Sequence, residues 1–496
     1  MSKNLFIGVD GKARKAKEFY IGVNGKAHRI VKAYIGDENG KARLFWEKET
    51  TPITDSLEFV SDNSFTMSAT KLWNGTIEYN NGNGWTTWSG GQISSGNIGG
   101  RQRIYFRGSR NTVIQGQNAT ETNSWKITGS NIECNGNIEY LLDYQKVVAG
   151  QHPEMGTYCY RFMFNSCSSL TTAPELPAIT LANSCYQNMF RNCSSLTIAP
   201  ELPATILAPY CYYNMFFGCS SLTTAPALPA TTLTPSCYYM MFRNCSSLTT
   251  APELPATTLA DYCYHNMFNG CSSLTTAPAL PATTLAPYCY YNMFNGCSSL
   301  TTAPQLPATD LAKSCYYQMF RNCSSLTTAP QLPATTLAEN CYQYMFGNCS
   351  SLTTAPELPA TTLAVGCYKE MFYSCENLTT APILPATTLA KNCYYYMFYG
   401  CFRLRKIPAL PAHILPDFCY YGMFKECDIH LYSSGDETKN VIYLLPSEKY
   451  QWTNTQKESN SLTDMFTYDG LIQTPNFPTS YRLDNYYSII PQQEES

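Results

Sequence analysis

Charge is scarce in this sequence. Asp, Glu, Lys and Arg make up 14% of its 496 residues, against ~25% in an average soluble domain. The net charge is −3, so there is no basic footprint for nucleic acid. Apolar runs are short, and no segment approaches the ~20 consecutive apolar residues of a membrane span; membrane insertion is not expected. The opening "MSKNLFIGVDGKARKAKEF" has no apolar stretch of signal-peptide length, so the chain is expected to stay in the cytoplasm and leave it, if at all, by another route. Motifs for nucleophiles, metalloprotease zinc and phosphate loops are missing, and only five histidines are available as ligands. No catalytic residue, cofactor or metal ligand is assigned. Coiled-coil heptads are absent too, which leaves a homo-oligomer open without naming its form.

Tyrosine fills the gap left by charge, with 38 copies, and hydrophobic residues reach 44%. The surface is therefore polar by hydroxyl and amide, and the core can be large. Length alone allows about three domains.

Residues 1–48 repeat with a period of 14. "FIGVDGKARKAKEF", "YIGVNGKAHRIVKA" and "YIGDENGKARLFW" start at Phe6, Tyr20 and Tyr34. Asp10-Gly11, Asn24-Gly25 and Asn39-Gly40 suit tight hairpin turns, so a small β-meander is expected, its lysines and arginines a solvated face. Residues 50–145 hold short alternating runs ("TIEYN", "RIYFRG", "WKITG") between Asn/Gly/Ser clusters, with Trp85 and Trp88 as apolar anchors. They read as a β-sandwich-like module.

From residue 146 to 428 the chain repeats with a period of 26. Cysteines at Cys159, Cys185, Cys211, Cys237, Cys263, Cys289, Cys315, Cys341, Cys367, Cys393 and Cys419 are each followed eight positions later by another, from Cys167 to Cys427. These 11 pairs use 22 of the 23 cysteines and leave out only Cys134. Such a fixed period marks a solenoid, in which each unit buries its apolar face against its neighbours. The expected fold is α+β. It consists of all-β N-terminal modules, then a leucine-rich-repeat-like solenoid of 11 units at this period, with residues 429–496 as C-terminal cap.

With the first Cys of each unit as position 0, Cys, Met, Cys and Leu fall at 0, 4, 8 and 11, and Tyr and Phe at 1 and 5. On a helix, at ~100° per residue, these form two adjacent stripes, so a short helical segment is expected there. "SSLTTA" then turns extended, two prolines (Pro174 and Pro177 in the first unit) end regular hydrogen bonding, and Leu181 returns to the core. Variation between copies concentrates at positions 2, 3, 6, 7 and 16 and just before each first Cys, the expected solvent face. Recurrent carboxylates at position 16 (Glu175, Glu201, Glu253, Glu357) are assigned to solubility.

"CYYNMFNGCSSLTTAP" resembles the BspA-like leucine-rich repeats, over about residues 150–430 and in 11 copies. The unit departs from that family in being longer and carrying two prolines. "WTTWSGG…IYFRG…WKITGSNIECNGNIEYLLDY" looks like the β-module preceding such repeats, and the "YIGVNGKA" hairpins resemble those opening bacteriophage tail and other virion proteins.

The cysteines admit three readings. Zinc favours two to four residues between paired cysteines, but here the gap is seven. A disulfide within a unit would span ~12 Å of helix, too far for S–S geometry, although bridges between units stay open. Buried reduced thiols, packed as small apolar side chains, are expected.

Exposed tyrosines at position 2 give the candidate ligand-binding residues: Tyr213, Tyr239, Tyr291, Tyr317, Tyr395 and Tyr421. The alternative is that these rings merely pack along the flank. The resemblances imply a non-enzymatic virion protein, synthesised in the bacterial cytoplasm, that binds other virion proteins through residues 1–48. Its solenoid would face a host cell-surface glycan or protein. A capsid decoration or baseplate protein and a bacterial surface adhesin are the alternatives.

Overall fold

The computed structural model describes residues 53–427 apart from 405–407, 409 and 413, together with Asn460, Ser461 and Met465; strands are also placed within residues 6–47 and 481–491. Three antiparallel hairpins come first: β1 (Phe6–Val9) with β2 (Lys12–Lys15), β3 (Phe19–Val23) with β4 (Lys26–Ile30), and β5 (Lys32–Gly36) with β6 (Ala42–Glu47). Among the described residues each hairpin pairs only within itself, whereas a meander would also pair successive hairpins. In the first two, Val9 pairs with Lys12 and Val23 with Lys26, leaving the two-residue loops that Asp-Gly and Asn-Gly favour.

Strands β7 (Leu57–Ser61), β8 (Thr66–Ala69), β9 (Thr76–Asn80), β10 (Thr86–Thr87), β11 (Gly91–Ser94), β12 (Gly96–Ile98), β13 (Arg101–Ser109), β14 (Lys126–Thr128) and β15 (Ile132–Asn135) follow. One sheet runs β10-β9-β13-β7-β15, with β12 also on β13; β11-β8-β14 form a second. Trp73, Trp88, Phe106 and Trp125 fill the core, with Trp88 stacked on Trp73 at 5.3 Å and edge-on to Trp125 at 5.1 Å. Of the two expected anchors only Trp88 is buried; Trp85 lies half-exposed under the Arg107 guanidinium, 4.1 Å from its ring. A kinked helix that the residue pattern does not announce, α1 (Tyr140–Val148), packs on β13. Gly108 permits this approach, since a Cβ there would lie 1.8 Å from the Leu141 carbonyl oxygen.

The repeat begins by extending this sheet. β16 (Leu170–Thr172) pairs in parallel with β15, and single parallel bridges then recur once per unit. One series runs from Thr172 to Ile198, Thr224, Thr250, Thr276, Thr302 and Thr328, and a second contains Thr232, Thr258, Thr284, Asp310 and Thr336. From the Cys211 coil to the Cys289 coil, each coil thus touches the next at positions 13 and 21.

The segment from position 0 to 11 corrects the expected helix. The coil of Cys263 shows the pattern: amides at even positions close turns within the coil (Cys263 to Ala260, His265 to Tyr262, Met267 to Tyr264, Asn269 to Asn266, Cys271 to Phe268). Those at odd positions leave it. The Tyr262, Tyr264, Asn266, Phe268 and Gly270 N–H groups donate to carbonyls of Pro287, Cys289, Tyr291, Met293 and Asn295 in the next coil at 2.8–3.2 Å. A helix would keep all these bonds to itself. The geometry repeats every four residues because positions −1, 3 and 7 have positive φ: Tyr262 at 57°, Asn266 at 54° and Gly270 at 77°. Glycine and asparagine tolerate that left-handed conformation. Position 7 reads Ser, Asn, Gly, Asn, Gly, Gly, Asn, Asn, Ser, Gly, Glu along the 11 copies.

This geometry turns five side chains inward as ladders: Cys at position 0, Tyr at 1, Met at 4, Phe at 5 and Cys at 8. Tyr264 and Tyr290 stack at 5.8 Å, and Phe268 and Phe294 at 5.7 Å. All 23 cysteines are free and buried, and the thiol at position 8 has a partner: the S–H of Cys271 donates to the Phe242 carbonyl of the preceding coil at 3.1 Å, and Cys297 to Phe268 likewise. Serine would bring a more polar hydroxyl into that site; alanine would lose the bond.

Both ends of the stack are covered by partial coils. At the start, Trp125 occupies the place of a Phe at position 5: its N–H donates to Met163 and its carbonyl accepts the Cys167 thiol at 3.2 Å. At the other end Tyr420 and Phe424 donate to Ser461 and Met465, as positions 1 and 5 donate to the Cys and Met of the next coil from Tyr212 onward. Residues 461–466 read "SLTDMF", a worn copy of "CYxxMF". The expected C-terminal cap otherwise lies mostly outside the described residues, where β17 (Tyr481–Leu483) and β18 (Ile489–Pro491) form an antiparallel pair.

Two outcomes are expected. Gly296 has a φ of 78°, and a Cβ added there would meet nothing nearer than 3.5 Å. Gly296→Asn should therefore leave urea unfolding nearly unchanged, and Gly296→Val should cost about 1–2 kcal/mol. Met465→Asp should raise amide hydrogen exchange at Tyr420 and Phe424 while leaving the coils before Cys367 protected.

Candidate functional site

Buried thiols are the most numerous reactive groups, and burial disarms them. Loss of solvation pushes Cys271 and Cys341 up to about 12 and holds Cys263 and Cys297 well above the ordinary thiol range. A thiol kept protonated is neither a nucleophile nor a metal ligand. Among the described residues no group of three or more His, Cys, Asp or Glu side chains gathers for a metal ion. No described helix is long and apolar enough to cross a membrane.

The candidate tyrosines lie together on one flank. Tyr213, Tyr239, Tyr291 and Tyr317 belong to a single row, with His265 as its middle member. Successive centroids are 4.5, 4.5, 4.6 and 4.4 Å apart, and adjoining rings lie within 10° of parallel. The row exists because position 2 recurs at the short inter-coil spacing. Gln187 and Gln343 occupy position 2 beyond its two ends. Tyr395 and Tyr421 form a separate stacked pair at 5.1 Å, with Lys369 Nζ 4.9 Å from the Tyr395 ring. All six tyrosines are half-buried.

Stacking changes what these rings can offer. Interior faces are occupied by neighbouring rings, so edges and hydroxyls remain for a ligand. Burial, then the neighbouring hydroxyl, pushes Tyr213 and Tyr291 up to about 12, so both stay neutral donors. His265 is 9% exposed, and Asn266 Nδ2 donates to its Nδ1 at 2.5 Å. Burial, with the nearby Arg243 charge second, lowers it to about 4, so it is a neutral ring at ordinary pH.

Sequence reading misses His265 as a member of the row and misses the flanking tyrosines at position −1. Tyr262 and Tyr288 stack at 4.7 Å, Tyr210 leans on Tyr213 at 6.1 Å, and Tyr262 leans on His265 at 5.6 Å. Their signal is the Tyr directly before the first Cys in "PYC", "DYC" and "PYC". The carboxylates at position 16, Glu175, Glu201, Glu253 and Glu357, are exposed.

A family model described as a BspA type leucine rich repeat region matches residues 183–327 and 288–430, in six copies. No curated protein and no solved structure matches the chain.

The thiols give a pH prediction. Their folded pKa values lie above the ordinary 9.0, so the stability they contribute is complete below pH 9 and is lost as pH rises toward 12. Each thiol contributes a slope of up to about 1.4 kcal/mol per pH unit in that window. The thermal midpoint should fall steeply above pH 9. A disulfide-exchange dye should count almost no thiols in the native chain and 23 in strong denaturant. A low count in denaturant would mean inter-coil disulfides instead.

Proposed function

The chain belongs to the BspA type leucine rich repeat family, and from that premise we propose that it is a non-catalytic binding protein of a bacteriophage or phage-derived particle. In this reading residues 1–48 dock it to other virion proteins, the sheet module and its Trp125 coil cap the solenoid, and the flank from Tyr213 to Tyr317 meets a glycan or protein on the host cell surface. The single observation that carries the binding role is the aromatic row: four tyrosines and a histidine held in register. Ring stacking has already removed their side-chain freedom, so little entropy remains to be lost on binding. The three hairpins with a 14-residue period support the virion setting through their likeness to phage tail segments. Assembly of the particle inside the cell would then deliver the protein outside without a secretion step. A bacterial surface adhesin is the second reading, favoured by the family itself.

The experiment replaces Tyr291, Tyr317 and Tyr395 with alanine in the intact chain and measures binding to host cells. Loss of at least tenfold in affinity with an unchanged melting profile is expected. Binding at the original strength would remove the flank from the recognition role. Immunogold labelling of particles should place the repeat at a tail tip; label over the head would indicate capsid decoration, and label confined to cell envelopes would indicate the adhesin.

A further inference from the structure

The charge at positions 2 and 6 is one-sided. Positions 2 and 6 of the 11 copies include Arg161, Arg191, Arg243, Arg321, Lys369 and Lys425 and not one Asp or Glu, in a chain whose net charge is −3. Arg191 is paired with Glu121. Arg243 has no carboxylate partner among the described residues. Its guanidinium lies 5.5 Å from the Phe217 ring, its Nη1 reaches only the Met240 sulfur at 3.6 Å, and its buried Nε has no hydrogen-bond acceptor. Arg321 rests 4.6 Å from the Tyr344 ring, again with a buried Nε that lacks an acceptor. Glu370 is the acid in its neighbourhood: burial raises its carboxyl pKa while Lys369 and, more weakly, Arg321 draw it down, yet among the described residues no carboxylate lies within ion-pair distance of Arg321.

A guanidinium on an aromatic face keeps a planar set of donors for a carboxylate. The coils that carry these two arginines also carry the tyrosines Tyr239 and Tyr317 and the asparagines Asn244 and Asn322. Ring faces are largely used up within the row, so stacking a flat ligand on them is disfavoured and polar edge contacts are favoured. A repeating surface of donors with unpaired cations matches a repeating ligand of hydroxyls with carboxylates, because each coil can engage a successive unit of the same chain.

We propose that the flank from Tyr213 to Tyr317 binds an extended acidic glycan, a polymer of carboxylated sugars lying along the solenoid axis with acid groups against Arg243 and Arg321. This rests on the reading of the flank as the recognition surface and narrows its ligand from any surface glycan or protein to one chemical class. Such binding is sensitive to ionic strength, because the contacts include charge pairs near the surface.

The test is calorimetric titration of the intact chain with polysialic acid and polygalacturonic acid, using neutral dextran and polyglutamate as comparisons. At least one acidic glycan should bind, more weakly at high salt, while dextran and polyglutamate do not. R243Q/R321Q should weaken binding by about tenfold or more, R243K/R321K should weaken it less, and K146Q on α1 should leave it unchanged. Equal melting temperatures across the series exclude unfolding as the cause. No binding to either acidic glycan, or binding that R243Q/R321Q leaves intact, overturns the proposal. So does polyglutamate bound as tightly as the glycans, which would make acidic peptides the ligand. Tyrosine variants that lose cell binding while acidic glycans fail to bind would overturn the ligand class and keep the recognition surface. Glycan binding that needs the two arginines, with cell binding untouched by the tyrosine variants, would overturn the host-surface reading instead.

Discussion

Alternate peptide groups that turn out of their own coil to bond the next one are the constraint on which the repeat depends. In a helix those amides would be satisfied locally and neighbouring units would meet only through side chains. Here five backbone bonds join each middle coil to its successor along this segment, each worth about 1 kcal/mol net. A single coil would leave those groups unpaired, so it has no stable existence alone. Left-handed residues at positions −1, 3 and 7 make the pattern possible, and they bring Cys, Tyr, Met and Phe inward with a period of four.

That period explains how the sequence misleads. Over twelve residues, repeats of 3.6 and 4.0 place positions 0, 4 and 8 on much the same stripe, so an amphipathic helix fits the apolar pattern equally well. Discrimination lay in the polar residues: Asn, Gly and Ser recur at position 7 and often at −1 and 3, where a helix would favour stronger helix formers. The repeat period, the inward cysteines and the return of Leu181 to the core were legible, because burial is written directly in residue type. The tyrosines at position 2 were legible as a series, with exposure and packing along the flank both left open, since solvent-facing variation and half-buried ring packing look alike in one chain. His265 escaped because its membership of the row comes from its neighbours in space. The last coil escaped because Ser461 replaces the cysteine and the spacing from Cys419 is 42 residues.

Low charge follows from the same architecture. Neighbouring coils bring identical positions close together, so a charged residue repeated at one position would face its own kind in every coil. Uncharged tyrosine, asparagine and threonine avoid that repulsion, and threonines supply most of the bridging positions at 13 and 21. Where cations do occur on the flank they are interspersed with neutral residues, and Arg191 and Arg243 share the Phe217 ring from the coils on either side. The solenoid thereby joins an invariant interior to a flank that differs from coil to coil.

Because successive junctions repeat the same bonds, whole units are exchangeable in a way that single residues are not. Loss or gain of one complete unit leaves the Cys, Phe and Tyr ladders in register and lets the Ser461 and Met465 carbonyls close whichever unit comes last. Nearly identical coding segments recombine unequally, so such changes are readily generated. Each event would shorten, lengthen or respell the aromatic row without touching the machinery of folding. The column can thus inherit its stability and revise its surface as two separate traits.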